Sequence, residues 1–351
     1  MVFSIIIPVH NGIKYLKSSV ESALGQDTSF YKENIPLYEI IIVENGSTDG
    51  TDKIADSLAK ENPIVTVIHE GPVGLYAARQ IGIKNAKGDW IIALDSDDLL
   101  YEGAVRELCA AVAGAKKSSE MIDLIYFNVA EIGREENKLF DLPFLPGKVY
   151  SGSDKEPFYQ LLCKGDSLNS MWSKAIRREI AYLGREDLFL NYGEDLYQTV
   201  QYVDRAKGIG FLEGILYYYR ENDSSITSSY SSVFLDNQKC VWQMVDEMAE
   251  KWRIPGADEL LTRRKALTCT IALARIVYSD MSIRQKREKL KDLMKDEFYV
   301  KYASSPLPQW APEEDVFLHE LQTAADPYNA IVNNARKYNL KSVVKKVLGR
   351  R

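Results

Sequence analysis

The stretch GLYAARQIGIKNAKGDWIIALDSDD (residues 74–98) changes texture twice in twenty-five residues. Residues 74–87 carry a helical pattern. Residues 89–95, DWIIALD, are a short, nearly continuous apolar run, the signature of a strand covered on both faces. Three carboxylates then fall within four positions, at Asp95, Asp97 and Asp98. A helix feeding a buried strand that ends in clustered acids implies an α/β sheet with a polar site at one edge.

The same alternation runs upstream. FSIIIPV (3–9), YEIIIVE (38–44) and IVTVIHE (64–70) have the texture of 89–95. Between them, residues 13–25 place Ile13, Leu16, Val20 and Leu24 on one stripe. Residues 49–60 do the same with Ile54, Ala55, Leu58 and Ala59, and Ser47 or Thr48 is available as the N-cap. Residues 26–37 read as a loop or insertion. Strand alternating with helix predicts a parallel sheet flanked by helices.

Ligands bind beyond the carboxyl ends of the strands in such sheets. Three polar loops lie there: Pro8-Val9-His10-Asn11-Gly12, Glu44 through Gly50, and Asp95 through Asp98. Ordinary surface turns favour the same residues, but several such loops at one edge, one of them triply acidic, point to a ligand site.

Three acids this close repel unless a positive charge sits among them. A divalent cation is the simple solution, and hard oxygen donors select Mg²⁺ or Mn²⁺ over zinc. Mg²⁺ takes one or two carboxylates and shares its remaining shell with water and substrate phosphates. The stretch therefore asks for a phosphorylated ligand. Neither GxxxxGK[ST] nor a GxGxxG after the first strand occurs, so the expected nucleotide site is of another kind.

Composition narrows the class. The 351 residues are 46% hydrophobic and 27% charged, as in a folded globular protein. A net charge of −6 disfavours nucleic acid as a partner. Cys109, Cys163, Cys240 and Cys269 have no CxxC spacing, and His10, His69 and His319 are scattered, which argues against a disulfide framework or a zinc site. No apolar run is long enough to span a bilayer and no basic segment precedes the first one, so a cytoplasmic chain is expected. The last sixteen residues, 336–351, hold seven basic side chains and no acid. They fit either a solvated tail or a helix on an anionic membrane surface, with Leu340, Val343, Val344, Val347 and Leu348 on its apolar face.

Four blocks in order, FSIIIPVHNGIKYLKSSVESALGQ (3–26), EIIIVENGSTDGT (39–51), residues 74–98 and NYGEDLYQTVQYV (191–203), resemble those of the family 2 glycosyltransferases. The resemblance covers about residues 3–230, with gaps. It implies the GT-A fold, a Rossmann-like, mostly parallel sheet flanked by helices, over 1–230, and leaves 231–351 as a helical extension. It further implies an inverting, metal-dependent enzyme of bacterial surface-polysaccharide type, moving a sugar from a nucleotide-sugar, a UDP-sugar by default, to a hydroxyl of a glycan or lipid-linked acceptor.

By the same resemblance Pro8, Val9, His10 and Glu44 hold the base and ribose. The family motif reads VDDGS where this chain has VENGS, so Glu44 is one methylene longer and the base is left open. Asp49 is a further acid there, or simply a residue favouring a helix start. Arg79 matches an arginine near the nucleotide, with a helix-surface ion pair as the alternative. Asp95 is assigned to the ribose, Asp97 to the metal, and Asp98 to the metal or to orienting its ligands.

Inversion needs a carboxylate to take the acceptor proton. The family carries it in an ED pair, here Glu194 and Asp195, with Asp195 the base and Glu194 its partner. Acids at a helix start are also common for dipole reasons. Trp172 and Lys174 match acceptor-side positions, and a core role for Trp172 is the alternative. Residues 208–227 read as a short strand pair followed by Arg220, on the diphosphate side, and a Ser-rich loop. Two other classes compete: a catalytically silent sugar-nucleotide-binding or scaffold protein, and a sugar-phosphate nucleotidyltransferase, whose Gly-rich loop with Arg and Lys is missing after the first strand.

Overall fold

The structure, a computed structural model, describes residues 2–32, 36–117, 120–221 and 230–347, with side chains up to 339. The Ser-rich loop expected at 222–229 and the apolar face expected at 340–348 lie outside the described residues and side chains.

In chain order the elements are β1 (Phe3–Val9), α1 (Leu16–Leu24), β2 (Tyr38–Asn45), α2 (Thr51–Glu61), β3 (Val65–Glu70), α3 (Leu75–Asn85), β4 (Trp90–Ala93), β5 (Leu99–Leu100), α4 (Ala104–Lys117), β6 (Leu124–Glu131), β7 (Arg134–Lys138), β8 (Tyr150–Ser151), α5 (Glu156–Lys164), β9 (Lys174–Arg177), α6 (Arg178–Ala181), α7 (Glu194–Arg205) and β10 (Gly208–Tyr219). Helices follow: α8 (Phe234–Trp252), α9 (Ala257–Val277), α10 (Ile283–Leu293), α11 (Glu297–Tyr302), α12 (Glu313–Gln322) and α13 (Pro327–Val347).

The chain divides into two compact units, 1–162 with 166–222, and 163–165 with 223–351. The first is built on a mixed sheet of order β3-β2-β1-β4-β9-β6-β10-β5, with β7 on β6 and β8 on β10. Its first four strands are parallel, as the alternating texture predicts. Strand β9 then enters antiparallel between β4 and β6. β1 and β2 are buried along their whole length, which is why their sequences do not alternate.

Three local expectations change. Helix α1 begins at Leu16, so Ile13 stays outside it, 48% exposed. Helix α2 is capped by Gly50 in the left-handed region, not by Ser47 or Thr48. Asp49 instead accepts from the backbone N–H of Thr51 (3.0 Å) and of Ile13 (3.1 Å), which ties the first two loops together. The strand pair expected after 208 is one long strand, β10, bent by irregularities between Leu212 and Tyr217. The bend lets a single strand pair with β6 and still reach β5.

Helix α3 fixes the site. Gly82 lies so close to the sheet that a Cβ would meet Ile6 Cγ2 at 2.5 Å and Val43 Cγ2 at 3.1 Å. Only glycine permits that approach without displacement. The opposite side of α3 is locked to the segment around α7. Asn191 Oδ1 accepts from the N–H of Leu75 (2.7 Å), Tyr76 meets Tyr197 edge-on at 5.4 Å, and Gln80 donates to Gln198 and to the carbonyl of Ala181. Tyr76, Arg79 and Gln80 on α3 are therefore buried.

The regular elements among the described residues of the second unit are all helices. Helix α9 is buried nearly all round, through Leu261, Ala266, Leu267, Cys269, Leu273 and Ile276, and the other helices pack about it, as expected for a helix apolar on every face. Trp242 is core, with its indole N–H on Thr268 Oγ1 at 3.1 Å. A capping box formed by Ser282 and Gln285 starts α10. All four cysteines are free. No helix among the described residues is long and apolar enough to cross a membrane.

Candidate active site

At the carboxyl end of the parallel strands the loops after β1 and β2 are knitted together. His10 Nδ1 donates to the carbonyl of Asn45 at 2.9 Å, which leaves Nε2 to accept from the Asn11 amide at 3.1 Å. The N–H of Asn11 donates to Ser47 Oγ, and Asn11 Oδ1 accepts from the N–H of Thr48. Pro8 and Val9 are buried inside β1, while His10 is exposed. Of that trio, His10 alone presents an exposed side chain to this edge.

Glu44 is 5% exposed. Its Oε1 accepts from the N–H of Ser47 at 2.6 Å, and its Oε2 lies 3.6 Å from His69 Nδ1. Burial works against its charge, but the Ser47 and His69 contacts outweigh it and lower the carboxyl below its usual range. The extra methylene relative to the family's aspartate is thus taken up by holding its own loop. His69, also bonded to Asp56 at 2.9 Å, is held above its ordinary pKa, chiefly by that bond. His69 is a site residue not expected from the sequence, where the one signal for it is its place at the end of the third strand.

The acid loop is fixed from the far side of the sheet. The Tyr217 hydroxyl donates to Asp98 Oδ2 at 2.7 Å and accepts from the N–H of Asp95 at 3.1 Å. The N–H of Arg220 donates to Asp98 Oδ1 at 2.7 Å, and Arg220 Nε donates to the carbonyl of Asp97 at 2.7 Å. Asp98 is 1% exposed, and burial, with help from Asp95, pushes its carboxyl up to about 8. Each of its oxygens accepts one hydrogen bond from inside the protein, which shapes the loop. Asp97 is only half-buried. The Arg220 guanidinium lies over the Tyr15 ring at 4.6 Å, joining the first loop to the acid loop.

Arg79 is 2% exposed and lies amid three acids. It donates to Asp95 Oδ1 at 2.9 Å, to Asp195 Oδ1 at 2.5 Å and to Glu194 Oε1 at 3.4 Å. The guanidinium is enclosed, so the helix-surface ion pair considered as the alternative gives way to a buried cluster with three acids. The positive charge that clustered acids demand is supplied, for Asp95, by the chain itself. Burial opposes the guanidinium charge, but Asp195, Asp95 and Glu194 outweigh it and raise its pKa further. Burial likewise pushes Asp95 upward, against the pull of Arg79.

The acidic pair starts α7. Gly193 takes the left-handed conformation there (φ 78°), which lets the chain turn sharply into the helix. Asp195 keeps a quarter of its side chain exposed, and its Oδ2 accepts from the N–H of Met171 at 3.2 Å. Glu194 is deeper, and burial together with Asp195 pushes its carboxyl up to about 8. One guanidinium cannot neutralise three carboxylates, and Glu194 is both the most buried and the farthest from it.

The two acceptor-side expectations end in the interior. Trp172 is stacked against Phe140, Tyr217 and Tyr219, with ring centroids 5.4–6.4 Å away. Lys174 is fully buried, and its Nζ donates to the carbonyls of Leu168 and Asn169 and to Thr199 Oγ1, at 2.9, 3.1 and 2.7 Å. It has no surface to offer an acceptor. Its ammonium pins the 168–169 segment to α7.

The family model for glycosyl transferase family 2 matches residues 4–181, just over half of the chain. The protein belongs to that family. Among curated relatives it is 27% identical to a putative glycosyltransferase, EpsH, of Bacillus subtilis over 68% of this chain and 67% of EpsH. It is 26% identical to the glycosyltransferase GlyA of Streptococcus pneumoniae over 71% of this chain, but that match spans only 34% of GlyA. Among solved structures, S. aureus TarS residues 1–349 in complex with UDP-GlcNAc superposes with a TM-score of 0.54 at 18% identity, covering 98% of this chain and 92% of that one. The fold is the GT-A fold with a helical C-terminal region.

Proposed function

We propose that this glycosyltransferase moves a sugar from a nucleotide-sugar to a hydroxyl of a glycan or lipid-linked acceptor, with inversion at the anomeric carbon. The observation that carries the reading is the convergence of Asp95 with Glu194 and Asp195 on Arg79, about a hundred residues apart in the chain. Donor-loop acids and a partly exposed carboxylate at a helix start are what such a transfer requires on its two sides.

Asp195 is the base in this reading. It takes the proton of the acceptor hydroxyl as the oxygen lone pair attacks the anomeric carbon. The bond from that carbon to the diphosphate oxygen breaks, and its electron pair leaves with the nucleoside diphosphate. Glu194 keeps its proton and supports Asp195. The donor lies over the loops of His10, Glu44 and Asp95, with Arg220 on the diphosphate side. A uridine diphosphate sugar is the first donor to test, since TarS, of the same fold, was solved with one.

A divalent cation, Mn²⁺ or Mg²⁺, would offset charge on the departing diphosphate. Such a cation uses few protein ligands and shares its shell with phosphate and water. Asp97 is the fitting carboxylate, and Asp98 shapes the loop that presents it.

The basic segment 336–351 supplies an electrostatic hold on an anionic inner membrane surface in this reading, a fit for a lipid-linked acceptor. Cosedimentation with anionic against neutral vesicles tests that part.

The test of the transfer itself is D195N. The variant should bind nucleoside diphosphate as the native chain does and lose about 10²- to 10⁴-fold in turnover. Unchanged turnover would remove Asp195 from the chemistry. A native chain that binds but never turns over would leave a sugar-nucleotide-binding protein.

A further inference from the structure

We propose that Arg79 is a positioning residue that sets the donor loop and the catalytic base in one fixed relation, by holding Asp95 and Asp195 on the same guanidinium. The inference rests on the reading of Asp195 as the base and departs from the nucleotide-contact role that the sequence implied.

The geometry is specific. Nη2 of Arg79 donates to Asp95 and Nη1 to Asp195, with Glu194 beside it. A planar guanidinium fixes the angle between two such partners, which a lysine ammonium cannot do. The side chain is almost wholly enclosed, and its Nε has no acceptor among the described residues. Among the described residues its side-chain hydrogen bonds go to carboxylates of the site.

Neither residue is held by Arg79 alone. The N–H of Asp95 is bonded to Tyr217 and its carbonyl accepts from Ser19 Oγ at 3.1 Å, while Asp195 also accepts from Met171. Asp95 is tied through its backbone to β10 and α1, Asp195 is tied through its carboxylate to the segment at Met171, and Arg79 is the direct link between the two acids. Gly82 and the α3–α7 contacts hold the arginine rigidly at that point. A base displaced by about 1 Å from its productive place loses about 10²-fold in rate, so a link of this kind acts on turnover more than on donor affinity.

The test compares R79K and R79Q with the native chain and with D195N. Affinity is read by calorimetry with UDP, GDP, CDP and TDP in the presence of Mn²⁺. Turnover and KM are read as nucleoside diphosphate released in water from the sugar nucleotide of the preferred base. Thermal unfolding reports how much of each variant is folded.

R79K should fold, bind nucleoside diphosphate within about threefold of native, and lose about 10²-fold in kcat with little change in KM. R79Q should lose at least as much turnover. Equal kcat in R79K and native chain, with D195N inactive, would overturn the positioning role and leave the base assignment standing. Loss of nucleotide affinity in R79K, with kcat unchanged, would return Arg79 to a nucleotide contact. An active D195N would instead remove the base reading on which the inference stands.

Discussion

Tyr217 and Asp98 share a hydrogen bond of 2.7 Å across the sheet, and the same hydroxyl accepts from the N–H of Asp95. Strand β10 thereby holds the acid loop after β4, although the two are about 120 residues apart in the chain. Removing the hydroxyl with Y217F leaves a buried carboxylate oxygen and a backbone N–H without this partner. The expected loss is about 1–3 kcal/mol of stability, read by urea denaturation, together with weaker metal-dependent nucleotide binding. Native stability in Y217F would mean that the loop is held by other contacts.

Asp97 and Asp98 separate by function. D97N should fold as the native chain does and lose the Mn²⁺ dependence of nucleotide binding. D98N should lower stability first, because both oxygens of Asp98 are bonded inside the protein. Titrating nucleotide with and without EDTA against both variants checks this. The reverse pattern would make Asp98 the metal ligand.

Lys174 is expected to act on stability alone. K174M leaves the carbonyls of Leu168 and Asn169 without the ammonium, at a loss of about 1–3 kcal/mol. The KM for any acceptor of the folded fraction should stay where it is. A raised KM at unchanged stability would restore its acceptor-side role.

Glu194 gives the stability profile a sign. Its carboxyl is pushed from an ordinary 4.5 up to about 8 in the folded chain. The folded state therefore keeps a proton that the unfolded state releases. The stability associated with that proton is fully present below about pH 4.5 and is lost as pH rises through about 8. E194Q cannot titrate there, so its urea midpoint should fall less over that window than the native one. Identical slopes would mean that Glu194 is ionised in the folded chain.

Most of the fold could be read from the sequence, because buried parallel strands and amphipathic helices leave local signatures. Residues 3–9 and 38–44 were legible as strands from their unbroken apolar runs. The acids at 95–98 were legible as a cluster for the same reason: their meaning is carried by neighbours in the chain. What could not be read depends on partners far away. Arg79 looks like any helix arginine until α7 is packed over α3. Lys174 looks like a surface lysine until Thr199 closes over it. Helix α2 starts after Gly50, and Asp49 beside it is bonded to Ile13, a residue from another loop. Strand β10 hides its length because its bend interrupts the pattern a strand should show.

The measurement that bears most directly on a sugar-nucleotide site is calorimetric titration of the native chain with UDP, GDP, CDP and TDP, each in Mn²⁺ and in EDTA. One of the four should bind with clear preference, and EDTA should abolish most of its affinity. Absence of binding for all four, with and without metal, would contradict this expectation.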